Sequence, residues 1–128
     1  MTASEASFDF DLLGRAPDVE AENLQAFDAA DKLLLDTAGS DLEAAASGSG
    51  APVVIGDSYG ALTLGAAARY SLAGIRVHQD PFSGQLALDR NAEALGLAGR
   101  YTHWGLEPGL VSGAGVILLR LPRSLDAL

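Results

Sequence analysis

Pro52-Val53-Val54-Ile55-Gly56-Asp57-Ser58-Tyr59-Gly60-Ala61-Leu62-Thr63-Leu64 has the outline of a strand that feeds a glycine turn and then a helix. In α/β proteins that turn is where the polar head of a ligand is held. Most of the polar groups such a turn normally carries are missing here. Working outward, Val53 to Ile55 reads as a buried strand, Gly60 to Tyr70 as an Ala-rich helix, Gly74 to His78 as a second strand and Gly84 to Leu95 as a second helix. Gly96 followed by Leu97 is a helix stop, with Gly free to turn left-handed and Leu97 placed to fold back on the last turn. Arg100 to Trp104 reads as a third strand. Gly115 to Leu121 is the strongest strand signal, and its unbroken apolar run implies burial on both faces, as in a parallel sheet. Strands and helices alternating at this spacing make an open α/β domain with a mostly parallel sheet.

Ahead of this unit, Ser7-Phe8-Asp9-Phe10-Asp11-Leu12-Leu13 alternates apolar and acidic residues and reads as a short edge strand or a tail. From Glu20 to about Ala38 the residues Leu24, Phe27, Ala30, Leu34 and Ala38 recur at helical spacing, so an amphipathic helix docks that stripe on the core. Ser47-Gly48-Ser49-Gly50-Ala51-Pro52 reads as a flexible connector, with Pro52 excluded from the interior of a central strand. The expected organisation is an acidic segment over residues 1–51, helix and linker included, followed by an α/β half-domain over residues 52–128.

A chain of 128 residues with 48% hydrophobic residues supports one core. The net charge is −9, and its distribution is uneven: residues 1–57 hold 12 of the 17 acidic and two of the eight basic side chains. Nucleic-acid modules usually present a basic surface, so this piece is not expected to grip RNA or DNA by itself. There is no Cys, and the two His residues stand 25 positions apart, which leaves little for a metal site. No stretch approaches the roughly 20 apolar residues of a membrane span, and the start of the chain lacks signal-peptide character. A cytoplasmic protein is expected, with no membrane partner.

The quoted turn admits rival chemistries. Gly56-Asp57-Ser58 after a strand is similar to the nucleophile block of the Gly-Asp-Ser-Leu hydrolases, whose base sits in an Asp-x-x-His element. Ile75 and Arg100 occupy the Asp position before His78 and His103, so that element is missing, and a Ser in such a turn ordinarily caps the next helix. A phosphate loop fails because Ala61 replaces its Lys, and a dinucleotide fingerprint fails because Ser58 replaces the glycine that admits pyrophosphate.

Val53 to Leu97 resembles the front half of a class I S-adenosylmethionine (SAM) methyltransferase, with Asn91-Ala92-Glu93-Ala94-Leu95-Gly96-Leu97 matching the superfamily's Asn-Ala element. More narrowly, Asn23 to Leu35, the Gly56 to Leu62 loop and Val116-Ile117-Leu118-Leu119-Arg120-Leu121-Pro122-Arg123-Ser124-Leu125 together resemble the N-terminal domain of two-domain ribosomal RNA guanine-N2 methyltransferases of the RsmC/RlmG type. The resemblance implies a Rossmann-like fold and a degenerate domain that assists RNA positioning or domain assembly. A C-terminal domain of the same chain would bind SAM and methylate ribosomal RNA.

Departures from the superfamily pattern fall on the cofactor. Val54 stands at the acidic position before the loop, Ser58 replaces the middle glycine, and Gly56 and Gly60 remain. Alignment on Asn91 puts Gln79 where the ribose-binding carboxylate belongs, with Asp80 one residue on, and a one-residue shift redirects a strand side chain. The resemblance thus implies that Gly56, Ser58, Gly60 and Asp80 are the remnant of a SAM loop. Leu121-Pro122-Arg123-Ser124 replaces the catalytic Asn-Pro-Pro-aromatic signature, and Leu cannot accept the exocyclic amine's hydrogen bond, so no catalytic residue is expected. Two alternatives stay open: a SAM-binding domain that uses Gly56, Ser58, Gly60 and Asp80, and a structural or dimerisation module.

His78 reads as hydrogen-bonded structure, Trp104 with His103 as a core or interface anchor, and Arg120 with Arg123 as part of a solvated loop. The superfamily's strand order is 3-2-1-4-5-7-6, and this sequence supplies about four strands, as a fragment would. Val116 to Leu121 is then an apolar edge without the charges or Pro that block pairing, through which the chain is expected to dimerise or swap elements.

Overall fold

The computed structural model describes residues 10–14, 29–57, 59–79 and 82–120. Four strands, β1 (Ala51–Ile55), β2 (Ile75–His78), β3 (Tyr101–His103) and β4 (Ala114–Leu119), form one sheet in the order β3-β2-β1-β4, with every pairing parallel. The helices are α1 (Ala29–Thr37), α2 (Gly39–Ala46), α3 (Ala61–Tyr70), α4 (Phe82–Leu95) and the single turn α5 (Pro108–Val111). The fold is α/β and Rossmann-like, with its topological switch point between β1 and β4, where the strand order reverses.

Strand alternation divides the side chains between two faces. Val54 pairs in register with Val77 and Leu118, and these three join Leu35, Leu42, Leu62, Leu64 and Leu88 in the main core. The opposite face carries Val53, Arg76 and Ile117, in register with one another. There the Arg76 guanidinium donates to the carbonyls of Gly109 (3.0 Å), Leu110 and Ser112, fastening α5 over β2. Its charge also lies 5.2 Å from the centre of the Trp104 ring. This second layer does not reach β4, where Ile117 and Leu119 are 47% and 51% exposed. The expected burial of β4 on both faces is therefore corrected: an edge strand buries one face, and its apolar run hides the difference.

Helix α4 ends as expected. Gly96 adopts φ 72° and the N–H of Leu97 donates to Ala92 O at 2.8 Å, the longer bond of a Schellman motif. The Gly/Ser stretch makes the same structure on α2: Gly48 has φ 95°, Ser49 N–H donates to Ala44 O (3.0 Å) and Gly48 N–H to Ala45 O (3.1 Å). What reads as a connector is the hydrogen-bonded end of a helix that the sequence reading passes over.

Three further expectations change. Of the expected edge strand or tail, Ser7 to Asp9 lie outside the described residues; Phe10–Leu12 form a 3₁₀ turn, and Phe10 and Leu13 are buried in the main core. Only Ala29 to Ala38 of the amphipathic helix lies within the described residues; there Ala38 is buried as expected and Leu34 is half-buried against the core, but Ala30 is exposed and Asp31 and Leu35, each one position on, are the buried residues. Pro52 lies inside β1, a central strand. The N–H of Ala51 donates toward β4, to Gly113 O (3.0 Å), so the N–H that Pro52 lacks would point toward β2, whose pairing with β1 starts at Val53.

A bulge next to Pro52 sets a close backbone approach. Ala51 pairs with Ala114 and Pro52 with Val116, which leaves Gly115 as the extra residue. A Cβ on Gly115 would lie 2.4 Å from Ser49 O. Gly115→Ala is expected to cost about 1–3 kcal/mol in urea unfolding because backbone must move. Gly99→Ala, where the added methyl meets open space, is expected to change stability by less than about 0.5 kcal/mol.

Candidate functional site

The carboxyl ends of β1, β2 and β4 and the N-terminus of α3 bound the place where an open α/β sheet holds a ligand. Most of the described groups there are engaged by the chain itself. Asp57 follows β1 and is 2% exposed. Its carboxylate accepts the N–H of Leu62 at 3.1 Å and of Thr63 at 2.7 Å, so it neutralises the N-terminal turn of α3 as a bound anion would. Burial pushes the Asp57 carboxyl above its ordinary value; the side chain and N–H of Thr63 and the N–H of Leu62 pull it back, and the nearby charge of Asp31 adds to the rise.

The two remaining glycines face protein atoms. Gly56 has φ 86°, and a Cβ there would lie 2.4 Å from Arg120 O, the first residue after β4. Gly60 has φ 102°, and its Cβ would meet the Leu88 side chain at 2.8 Å and that of Leu64 at 3.1 Å. Gly56 thus permits the ends of β1 and β4 to close together, and Gly60 permits α4 to pack against the start of α3. Ser58 and Asp80, the other two residues of the expected remnant loop, lie outside the described residues, as does Arg123.

Arg120 is not part of a solvated loop. Its guanidinium pairs with Asp31, a buried carboxylate in the first turn of α1, across the switch point. The N–H of Arg120 donates to Ile55 O at 2.9 Å, continuing the β1–β4 ladder. Asn91 of the Asn-Ala element is a three-way clamp: its amide donates to Gly14 O (2.9 Å) and Tyr59 O (2.8 Å), and its carbonyl accepts the N–H of Gly14 (2.8 Å). It binds the turn before α3 and the segment at Gly14 to α4.

Gln79, at the position of the ribose carboxylate, is 4% exposed, and neither its Oε1 nor its Nε2 has a hydrogen-bond partner. Among the described residues the Thr63 hydroxyl, on the first turn of α3, is the other buried polar side-chain group left without a partner. His78 is structural as expected, with its Nδ1–H donating to Trp104 O at 2.9 Å. The half-buried Trp104 donates through Nε1 to Thr102 Oγ1 (2.8 Å) and carries Arg76 on its ring, an anchor as expected. His103 turns away to Asp89, whose Oδ1 accepts from His103 Nε2 (2.7 Å) and from the Tyr101 hydroxyl (2.6 Å). Burial raises the Tyr101 phenol, and the Asp89 hydrogen bond and charge add to it.

Asp31, Asp89 and the capping role of Asp57 are not singled out by sequence. A carboxylate shortly before a helix is a recognisable signal for Asp57. Asp31 and Arg120 are 89 residues apart, and nothing local links them. Among the described residues no group of three or more His, Asp or Glu side chains is placed to hold a metal ion. No helix among them is long and apolar enough to cross a membrane.

The family model of the RLMG N-terminal domain matches residues 1–128. No curated protein matches the chain.

Asn91→Ala removes all three clamp bonds and is expected to cost about 1–3 kcal/mol, measured by urea unfolding. The Asp57 rise has a definite sign. Its stabilising contribution is complete below the ordinary aspartate value of 3.8 and is lost as pH rises through the higher folded-state value. The stability difference between wild type and Asp57→Asn is therefore expected to shift against wild type as pH rises above 3.8, read from unfolding curves across the acidic range; a difference independent of pH contradicts it.

Proposed function

Because the chain belongs to the RLMG N-terminal domain family, the N-terminal domain of RlmG-type ribosomal RNA methyltransferases, we propose that it is a non-catalytic methyltransferase-like domain. In this reading residues 52–128 are a degenerate half-domain preceded by the acidic segment 1–51. It positions ribosomal RNA for, or assembles with, a C-terminal domain that binds SAM and transfers the methyl group to guanine N2, in the cytoplasm where ribosomal RNA is modified.

The observation that carries the reading is the Asp57 carboxylate on the N-terminus of α3. An anionic ligand head brought to that helix end meets a buried negative charge instead of free N–H groups, and repulsion replaces attraction. Gly56 turns its open side to Arg120 O, and Arg120 is held by Asp31. These residues do not fit the methionine portion of SAM.

One observation favours the alternative of a SAM-binding domain with a divergent loop. The Gln79 amide, buried and unpartnered, is suited to hydroxyl groups such as those of a ribose. The two readings separate in a calorimetric titration with SAM: no heat up to millimolar ligand, with the fold confirmed by circular dichroism, is expected, and micromolar binding overturns the proposal. If Gln79 serves no ligand, Gln79→Leu relieves an unsatisfied buried amide and raises stability by about 1–3 kcal/mol in thermal unfolding. Deleting the domain from a full-length relative is expected to lower methylation of ribosomal RNA while leaving SAM binding intact.

A further inference from the structure

Helix α3 packs against the sheet, α1, α2 and α4, and all seven residues from Ala61 to Ala67 are buried. A helix laid on a sheet ordinarily keeps one face in water. Residues 10–14 supply part of the extra cover. The bond from Leu13 N–H to Phe10 O (3.1 Å) closes a 3₁₀ turn, in which side chains three apart stand on the same side. Phe10 and Leu13 are accordingly buried together, while Leu12 between them is 60% exposed. The Phe10 ring lies where Gly65 of α3 carries no side chain: a Cβ there would come within 3.5 Å of the ring and 2.7 Å of Leu35 on α1. Lys32 of α1 places its ammonium 5.4 Å from the ring centre. Beyond the turn, Gly14 N–H donates to Asn91 Oδ1 (2.8 Å) and Gly14 O accepts from Asn91 Nδ2 (2.9 Å), so one amide of α4 reads both main-chain groups of one residue. The other hydrogen of Nδ2 is held by Tyr59 O at 2.8 Å, which keeps the Asn91 amide oriented without Gly14.

We propose that α1, α3 and α4 form a peptide-binding groove, which the chain fills with its own residues 10–14 and which takes a Phe-x-x-Leu-Gly segment in trans when that strap lifts away. The arrangement has the parts of peptide recognition: apolar seats for two side chains at a fixed spacing, main-chain bonds from a preoriented amide, and a side chain between them that points to water. Among the described residues the strap pairs with no strand. Its release breaks neither the sheet ladder nor the approach of Leu35 to Gly65. Two buried side chains and the two bonds to Asn91 are set against the ordering of five backbone residues, so the strap lifts at lower cost than the domain unfolds. The groove is independent of the RNA and SAM readings.

Native-state hydrogen exchange of the unsubstituted 128-residue protein, followed by NMR below the urea transition, tests the proposal. The Gly14 N–H, held by Asn91, is expected to exchange at least about 100-fold faster than the Gly56 N–H, which donates to His78 O across the β1–β2 ladder, and with little dependence on urea. A synthetic peptide of residues 7–16 at millimolar concentration, on the order of the effective concentration of a tethered segment, is expected to accelerate exchange at Gly14 at least about twofold and to leave Gly56 unchanged. The same peptide carrying Phe10→Ser and Leu13→Ser is expected to have no effect. Equal rates and equal urea dependence at the two amides overturn the proposal, because the strap then leaves only with global unfolding. A peptide of the native sequence that changes nothing, or a substituted one that acts as well, overturns it equally, because the groove then does not take that segment in trans.

Discussion

A buried carboxylate must find donors, and Asp57 finds them on the first turn of α3. Much of the carboxyl edge is arranged around that requirement. The bonds fix the path from β1 into α3, so the intervening turn has to pass Gly56 beside Arg120 and Gly60 beside Leu88. A second carboxylate, Asp31, lies close enough to raise the first, and two like charges in low dielectric are tolerable only with a cation at hand. Arg120 supplies it, and in doing so ties α1 to the end of β4. Asn91 closes the arrangement by holding Tyr59 and Gly14 against α4.

The succession of strands and helices was legible because the strands are short and flanked by Gly or Pro, and because the residues between them have helical spacing; the order in which the strands pair was implied by the family resemblance. Gly96 announced the end of α4 for a physical reason, its left-handed φ. The failures are as specific. Leu33, Leu34 and Leu35 offer three consecutive apolar residues, and a helix can bury only one side of them; Leu35 is 0% and Leu33 66% exposed, a phase set by what α1 packs against and not by its own pattern. Helix α2 was missed because Gly39-Ser40 and Ser47-Gly48 bracket a short Ala-rich run with little amphipathic contrast. An apolar run such as Val116 to Leu119 has the same composition whether one face is covered or both.

The candidate site was legible in outline and not in content. Gly56 and Gly60 were recognisable as positions that exclude a side chain, but what occupies the excluded space is Arg120 O in one case and Leu88 in the other, contacts made by residues far away in sequence. The Asn-Ala element was recognisable as a motif, whereas the use of Asn91 as a clamp depends on Gly14, 77 positions earlier. A glycine or an amide in a sequence records that something approaches closely. Whether that is a ligand or the same chain is decided by tertiary structure.

The central position of β1 has a consequence for how the molecule is made. β1 pairs on one side with β2, the next strand in sequence, and on the other with β4, which begins at Ala114. During synthesis the β4 side of β1 therefore stays unpaired until residues 114–119 have emerged, and the contacts of Gly50 with Gly115 and of Gly56 with Arg120 wait for the same event. Loop closure of this span is entropically costly and slow compared with the local β1-α3-β2 unit. The chain order of the contacts thus separates two events: those within β1-α3-β2 are local, whereas the pairing of β4 with β1 brings Arg120 to Gly56 and Asp31 and so fixes the carboxyl end of both strands together.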